Sequence, residues 1–308
     1  MPELPEVQKT VDGLNAYTRG KKIIDVWTDL AIENPTLPHH HQTIKSALFL
    51  KTFKKLVGGA TIIRSERKAK NIFIHLSNDT IVWIHMKMTG HLLYGSYLLD
   101  TNTNTWHVSP LEKNDALRDP FNRFIHVVFI LDNKKQLVLS DVRKFAKVTA
   151  FPKKAYQSIL TELALGPEPL EKTFTKKVFV SQLQKRPKKK IKEVLLDQSI
   201  VSGIGNIYSD EALWRAGIHP CRTVETLINN EYIALYNAVI YSLKKGIAFG
   251  GDSTSDYRDI TGKPGAFQGS HEAYRRTGKP CRKKDCTGII TRISFGTRNG
   301  HFCPIHQK

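Results

Sequence analysis

The sequence predicts an α+β fold: one helix flanking an antiparallel β-sandwich, followed by a mainly helical half. Three observations predict it. Apolar residues recur every three or four positions at the N-terminus, short β-prone stretches fill residues 21–151, and helical periodicity returns beyond Phe151. Leu4, Val7, Val11 and Leu14, with Gly20 as a stop, place the first helix from Glu6 to Thr18. Strands are expected at Lys22–Trp27, Thr61–Glu66, Asn71–Leu76, Thr80–Met86, Phe124–Leu131, Gln136–Asp141 and Lys147–Phe151. Turns at Ser77–Asp79 and Asp132–Lys135 make two neighbouring pairs hairpins, which favours an antiparallel sandwich over a parallel sheet with crossover helices. Leu98–Asn122 is polar and reads as a long surface loop, and His39-His40-His41 as a polar loop. Helices follow at Ala155–Leu165, Phe174–Gln184, Lys190–Ser199, Asp210–Ala216 and Asn230–Lys245. Gly250–Ser270, rich in Gly, Ser, Thr and Asp, is expected to be mobile. The division expected is 1–151, 152–269 and 270–308.

Of the 308 residues, 47 are Lys or Arg and 28 Asp or Glu, a net charge of +19 that points to a polyanionic partner. The longest apolar run, near Val127–Leu131, is far short of the roughly 20 residues that span a bilayer, so membrane insertion is excluded. The opening Met1–Glu6 has neither a basic nor an apolar signal region, and a cytoplasmic protein is expected.

Three of the four cysteines lie beyond residue 280, a clustering that suits a metal better than a disulfide framework. Cys281-x4-Cys286 and, sixteen residues later, Cys303-x2-His306 supply three thiolates and an imidazole, the donor set of a closed structural zinc ribbon. His301 stays open as an alternative fourth ligand. Gly288–Thr291 and the segment around Phe302 are expected to form the ribbon's hairpin, carrying Arg292 and Arg298, and Cys221 to be buried. Upstream, one helix is expected to stop at Gly203-Ile204-Gly205-Asn206 and another to begin near Ser209-Asp210. Glycines before a helix N-terminus let backbone N–H groups approach a phosphate, with Asn206 as a further donor. An ordinary helical hairpin fits the segment alone equally well, but the basic run Lys185–Lys190 and the ribbon shift the reading toward DNA.

Met1-Pro2-Glu3-Leu4-Pro5-Glu6-Val7, Gly203–Tyr208 and the terminal cluster, in this order, resemble bacterial formamidopyrimidine-DNA glycosylase. The resemblance covers nearly the whole chain and includes Arg67–Asn71, His85–Gly90, Asp141–Phe145, Leu165–Leu170 and Gly262–Gly265. It implies a helix-two-turn-helix domain after the sandwich, one structural zinc, and a monomeric nucleoid-associated enzyme of base excision repair. Its partner would be duplex DNA carrying an oxidised purine or an abasic site. With Met1 removed, Pro2 would be the nucleophile: an α-amino group has a pKa near 8, against about 10.4 for lysine, so a useful fraction is unprotonated at neutral pH. Glu3 would be the acid, Glu6 would orient the amine, and Lys70 would hold the phosphates beside the lesion. Lys192, Asn206 and Arg298 would contact further phosphates. Met88, Arg143 and Phe145 would enter the duplex and fill the gap left by the extruded nucleotide, and the 250–270 segment would close over the lesion base.

The chain departs from the family pattern in three places. The first cysteine pair is wider and its last ligand is His306. Asn122–His126 differs and follows a longer loop, implying altered handling of the opposite strand, and the closing segment Gly251–Asp256 is more acidic. Two rivals are an endonuclease VIII-like enzyme for oxidised pyrimidines, whose branch opens with Gly at the fourth position, and a catalytically silent damage-binding protein.

Overall fold

Pro5 in the first turn and a reciprocal capping box between Glu3 and Glu6 start helix α1 (Leu4–Tyr17), which buries Leu4, Val7, Val11 and Leu14. The computed structural model describes all residues, Met1–Lys308, and divides them into two units: Met1–Ile159 with Phe249–Ala266, and Leu160–Ala248 with Phe267–Lys308.

In the first unit, strands β1 (Ile23–Thr28), β2 (Ile62–Lys68), β3 (Asn71–Leu76), β4 (Thr80–His85), β5 (His91–Gly95), β8 (Ile125–Leu131), β9 (Gln136–Ser140) and β10 (Lys147–Pro152) form two four-stranded antiparallel sheets. Their orders are β1-β8-β9-β5 and β10-β4-β3-β2. Both expected hairpins are present, β3 pairing with β4 and β8 with β9. Apolar residues from both sheets, among them Ile72, Val82 and Ile84 from one and Leu92, Val127 and Leu139 from the other, share a single core with Val7 and Val11 of α1.

Four elements were hidden by the β-rich reading. Helix α2 (Ala47–Val57) is capped by Ser46, whose hydroxyl accepts the Phe49 N–H. Strand β5 completes a sheet. A small hairpin, β6 (Tyr97–Asp100) with β7 (Thr105–Val108), occupies part of the expected loop and buries Trp106, and two 3₁₀ turns follow at Asp115–Arg118 and Pro120–Arg123. The stretch expected to be mobile and to belong with the helices is instead packed, and its Phe249–Ala266 part clusters with the sandwich. The reason is that Tyr257 and Ile260 are almost wholly buried there, so the segment carries apolar anchors among its polar residues.

The second unit holds α4 (Lys176–Leu183), α5 (Ile191–Leu196), α6 (Asn206–Ala216), α7 (Asn229–Ala248) and the hairpin β11 (Thr291–Phe295) with β12 (Arg298–Phe302), while α3 (Tyr156–Glu162) straddles the division. Helix α5 ends earlier than the glycine motif, and α6 starts at Asn206 behind Gly205 rather than near Ser209. Gly217, at φ 73°, closes α6 in the left-handed conformation. The metal-ribbon residues group with these helices rather than standing apart, because Trp214 of α6 packs with Cys281, Ile290 and Cys303. At the α6–α7 contact a Cβ on Gly246 would overlap the ring of Tyr208, which is fully buried. Gly246→Ala is therefore expected to cost about 1–3 kcal/mol by overpacking, read as a lower urea midpoint with an unchanged slope.

Candidate active site and metal centre

The N-terminal residues are held by a buried carboxylate pair. Glu3 and Glu6 are 2% and 1% exposed, and the Glu3 N–H donates to Glu6 Oε2 at 2.7 Å. The other Glu6 oxygen accepts the Asp252 N–H at 2.8 Å, and the Tyr257 hydroxyl donates to the Glu6 carbonyl at 3.1 Å. Burial, with Glu6 nearby, holds the Tyr257 phenol well above its ordinary pKa, so it remains a donor.

Beside this pair lies a cavity of about 490 Å³ whose lining includes Met1, Met88, Arg143 and Phe145. The structure thus brings together the N-terminus and the three residues expected to enter the duplex. Met88 follows Lys87, which is in the left-handed conformation at φ 55°, on the connection from β4 to β5. Arg143 and Phe145 lie on the connection from β9 to β10, with the guanidinium 4.5 Å above the phenyl ring. One fully buried carboxylate ties the two connections: Asp141 accepts the Thr89 hydroxyl, the Arg143 N–H at 3.3 Å and the Ala146 N–H at 2.8 Å. Met88 and Phe145 are left 40% and 50% exposed, unusual for apolar side chains among charges and suited to an apolar partner.

The same cavity is lined by His39, His40, Lys45 and Lys87, which the sequence reading did not assign to a site. The signal was present in the histidine run, dismissed as a polar loop. Lys70 follows left-handed Ala69 (φ 53°) and is 5% exposed. Burial pushes the His85 imidazole down to about 3, reinforced by the positive charges of Lys87, Lys70 and Lys147. Neutral His85 accepts the Lys87 N–H on Nδ1 at 3.0 Å and so holds the turn that presents Met88.

In the second unit Lys192 does not reach a surface where a phosphate could meet it. Its side chain is wholly buried, and Nζ donates to Asp210 Oδ1 at 2.6 Å, Ser209 Oγ at 2.8 Å and the Asn206 carbonyl at 3.0 Å. The expected phosphate contact is corrected to an internal ion pair that holds the start of α6. Asp210 Oδ2 also accepts the His301 N–H at 3.0 Å and pairs with His301 Nδ1 at 2.9 Å. The Asn206 side chain donates to the Asn299 carbonyl at 2.8 Å, joining the start of α6 to the hairpin on which Arg298 is exposed. The run Lys185–Lys190 is exposed throughout.

The ligand atoms of Cys281, Cys303 and His306 lie within 4.8 Å of one another. Cys286 Sγ is 3.7 Å from Cys303 Sγ, and His306 Nδ1 is 3.6 Å from Cys281 Sγ. A tetrahedron with metal–sulfur bonds of about 2.3 Å and metal–nitrogen bonds of about 2.0 Å has edges near these lengths. Burial holds His306 below its ordinary pKa, in the neutral form that binds metals. The Trp214 indole N–H and the Gly288 N–H donate to Cys281 and Cys286 at 3.3 and 3.4 Å, and a Cβ on Gly288 would overlap the Cys303 sulfur. The residues fit a closed zinc site despite the wider cysteine spacing. His301, engaged by Asp210, is not part of the cluster. Cys221 is half-buried, not buried as expected.

Two family models cover most of the chain: the formamidopyrimidine-DNA glycosylase N-terminal domain matches residues 1–148 and the H2TH domain of the same enzymes residues 165–258. The chain belongs to the formamidopyrimidine-DNA glycosylase family. The formamidopyrimidine-DNA glycosylase of Heliobacterium modesticaldum is 37% identical over 308 residues, with all of both chains covered, and that of Pelotomaculum thermopropionicum 34% over 310 residues, covering 100% of this chain and 99% of the other. The Lactococcus lactis Fpg protein, solved in complex with DNA containing an abasic site, superposes with a TM-score of 0.80 at 30% identity, with 99% of each chain covered. A mutant of the same protein, solved with Fapy-dG DNA, gives 0.80 at 30% identity over 100% of each. The protein is thus a DNA glycosylase of DNA repair, with the family's sheet domain and helix-two-turn-helix domain. No helix is long and apolar enough to cross a membrane.

Because the His85 pKa in the folded protein, about 3, lies below the ordinary 6.5, the folded state binds fewer protons there than the unfolded chain. The stability this contributes is complete above pH 6.5 and is lost as the pH falls toward 3. Urea midpoints measured between pH 7 and 4 are expected to drop, and less steeply in His85→Asn, whose side-chain oxygen can accept the Lys87 N–H without titrating. An unchanged pH slope in that variant overturns the assignment.

Proposed function

We propose that this glycosylase excises oxidised purines from duplex DNA and then cuts the strand as an abasic-site lyase through a Schiff base on Pro2. The observation that carries the proposal is the meeting, at one cavity, of the N-terminus with Met88, Arg143 and Phe145, beside the buried Glu3–Glu6 pair. Removal of Met1 makes Pro2 a secondary amine. Its lone pair attacks C1′ as the base departs with the electrons of the glycosidic bond, and Glu3 delivers a proton to the ring oxygen as the sugar opens. The resulting iminium acidifies C2′, so loss of a proton there expels the 3′ phosphate, and a second elimination expels the 5′ phosphate. Glu6 orients the amine through its hydrogen bond to residue 3.

Extruding a nucleotide costs a few kcal/mol, which Met88 and Phe145 offset by stacking into the gap while Arg143 donates to the orphaned base. Lys70 serves phosphates beside the lesion, and Asn206 and Arg298 others on the same backbone. Lys192 is not among them and acts beneath, as the support of Asn206. Cys281, Cys286, Cys303 and His306 would hold one zinc, whose chemistry is to fix the hairpin bearing Arg298 rather than to touch the sugar.

Borohydride reduction of the mature protein mixed with an abasic or 8-oxoguanine duplex is expected to leave a covalent protein–DNA adduct, absent in Pro2→Gly; the absence of an adduct from correctly processed wild type overturns the mechanism. Thymine glycol duplexes cut faster than 8-oxoguanine would move the substrate to pyrimidines. Stripping zinc with a chelator is expected to weaken duplex binding at least tenfold by loosening the hairpin, and retained affinity argues against the metal assignment.

A further inference from the structure

Residues 96–124, longer than the family pattern, form a ledge beneath the segment 251–262. Three main-chain carbonyls or side chains of that segment are held from it. The Asn114 amide donates to the Thr261 carbonyl at 2.7 Å. The Asn122 amide donates to the Gly262 carbonyl at 3.2 Å and to Ala116 of the ledge itself at 2.9 Å, while its oxygen pairs with His91 Nε2 at 3.0 Å. Arg258 Nε donates to Asp119 Oδ2 at 3.0 Å, and its guanidinium lies 4.5 Å above the Phe121 ring. Gly262, at φ 86°, comes so close that a Cβ would lie 2.7 Å from the Ala116 carbonyl oxygen.

Neither face of the segment is loose. On its other side Asp252 and Tyr257 hydrogen-bond to Glu6, and Ile260 packs where a Cβ on Gly13 would overlap it. Inside it, Arg258 Nη1 ties back to the Ser255 and Tyr257 carbonyls at 3.2 and 2.9 Å. The ledge residues are themselves fixed: Asn114 caps the first 3₁₀ turn by accepting the Ala116 N–H, and Asp119 caps the second by accepting the Phe121 N–H at 2.9 Å. Every partner is a protein group, so these contacts are available before DNA arrives.

We propose that Asn114, Asp119 and Asn122 are positioning residues that hold segment 251–262 over the base pocket, and that this ledge selects base-bearing lesions over abasic sites. The proposal rests on the glycosylase and lyase reading above. A pre-set cover removes the ordering cost from lesion binding. An abasic site has no base to cover, so cutting it draws nothing from the ledge. The ledge also accounts for the divergent Asn122: its side chain faces the segment and His91, not a DNA strand.

The test compares wild type with Asn114→Ala/Asp119→Ala on two duplexes, one with 8-oxoguanine and one with a preformed abasic site, in single-turnover assays, together with amide hydrogen exchange of residues 251–262 in the free protein. Loss of two hydrogen-bond sets is expected to speed exchange in the segment and to slow base excision about tenfold, with abasic cleavage changed by less than about twofold. Asp119→Asn, which keeps an acceptor for Arg258 and for the Phe121 N–H, is expected to restore most of the excision rate. If the double variant does not fold, Asn114→Ala alone carries the comparison. Equal loss on both duplexes shows general damage and overturns the proposal, as does faster exchange with excision unchanged. Failure of the underlying reading is seen separately, as wild-type protein that neither cuts nor traps the abasic duplex, and overturns both.

Discussion

A carboxylate cannot stay buried without partners, and the Glu6 side chain is the buried group on which the sandwich half depends. One oxygen receives the N–H of residue 3 and the other that of Asp252, nearly 250 positions away in sequence. Stranding a buried charge is among the costlier errors available to a fold. The helix start, the amine-bearing residue and the 250–266 segment are therefore fixed by the same requirement. Helix-capping geometry serves here as chemistry: the capping box that begins α1 also sets the direction of the backbone at Pro2.

The second unit answers the same requirement with Asp210. Its two oxygens take Lys192 on one side and His301 on the other, so helix α5, helix α6 and the ribbon hairpin meet at one ion. Glu211, the next residue, accepts the N–H groups of Glu272, Ala273 and Tyr274 and anchors the chain as it enters the metal module. Adjacent carboxylates on one helix thus hold the two ends of the ribbon, while Trp214, one turn on, covers the thiolates.

Much of this was legible in the sequence, for identifiable reasons. Leu4, Val7, Val11 and Leu14 carry a period that only a helix satisfies, and β3 and β4 share a three-residue turn that leaves little freedom of pairing. The metal ligands declared themselves by chemistry and spacing. What escaped depended on tertiary partners. Helix α2 sits among strands and looked like one more, although Ser46 is a plain cap. Lys192 read as a phosphate contact because a lysine next to a glycine motif carries no mark of burial until Asp210 is placed beside it. The 250–266 segment looked mobile because its Gly and Ser content outweighs the two apolar anchors, Tyr257 and Ile260, that bury it.

The buried Asp141 has a thermodynamic consequence. Because this carboxylate joins Thr89 to Arg143 and Ala146, the connections bearing Met88, Arg143 and Phe145 behave as one body rather than as three independent side chains on two loops. Immobilising a flexible side chain at an interface costs on the order of 0.5–1.5 kcal/mol. Here most of that loss of freedom is taken when the protein folds, so the wedge meets the duplex with its entropy already surrendered, and more of its contact energy is left to open the base stack.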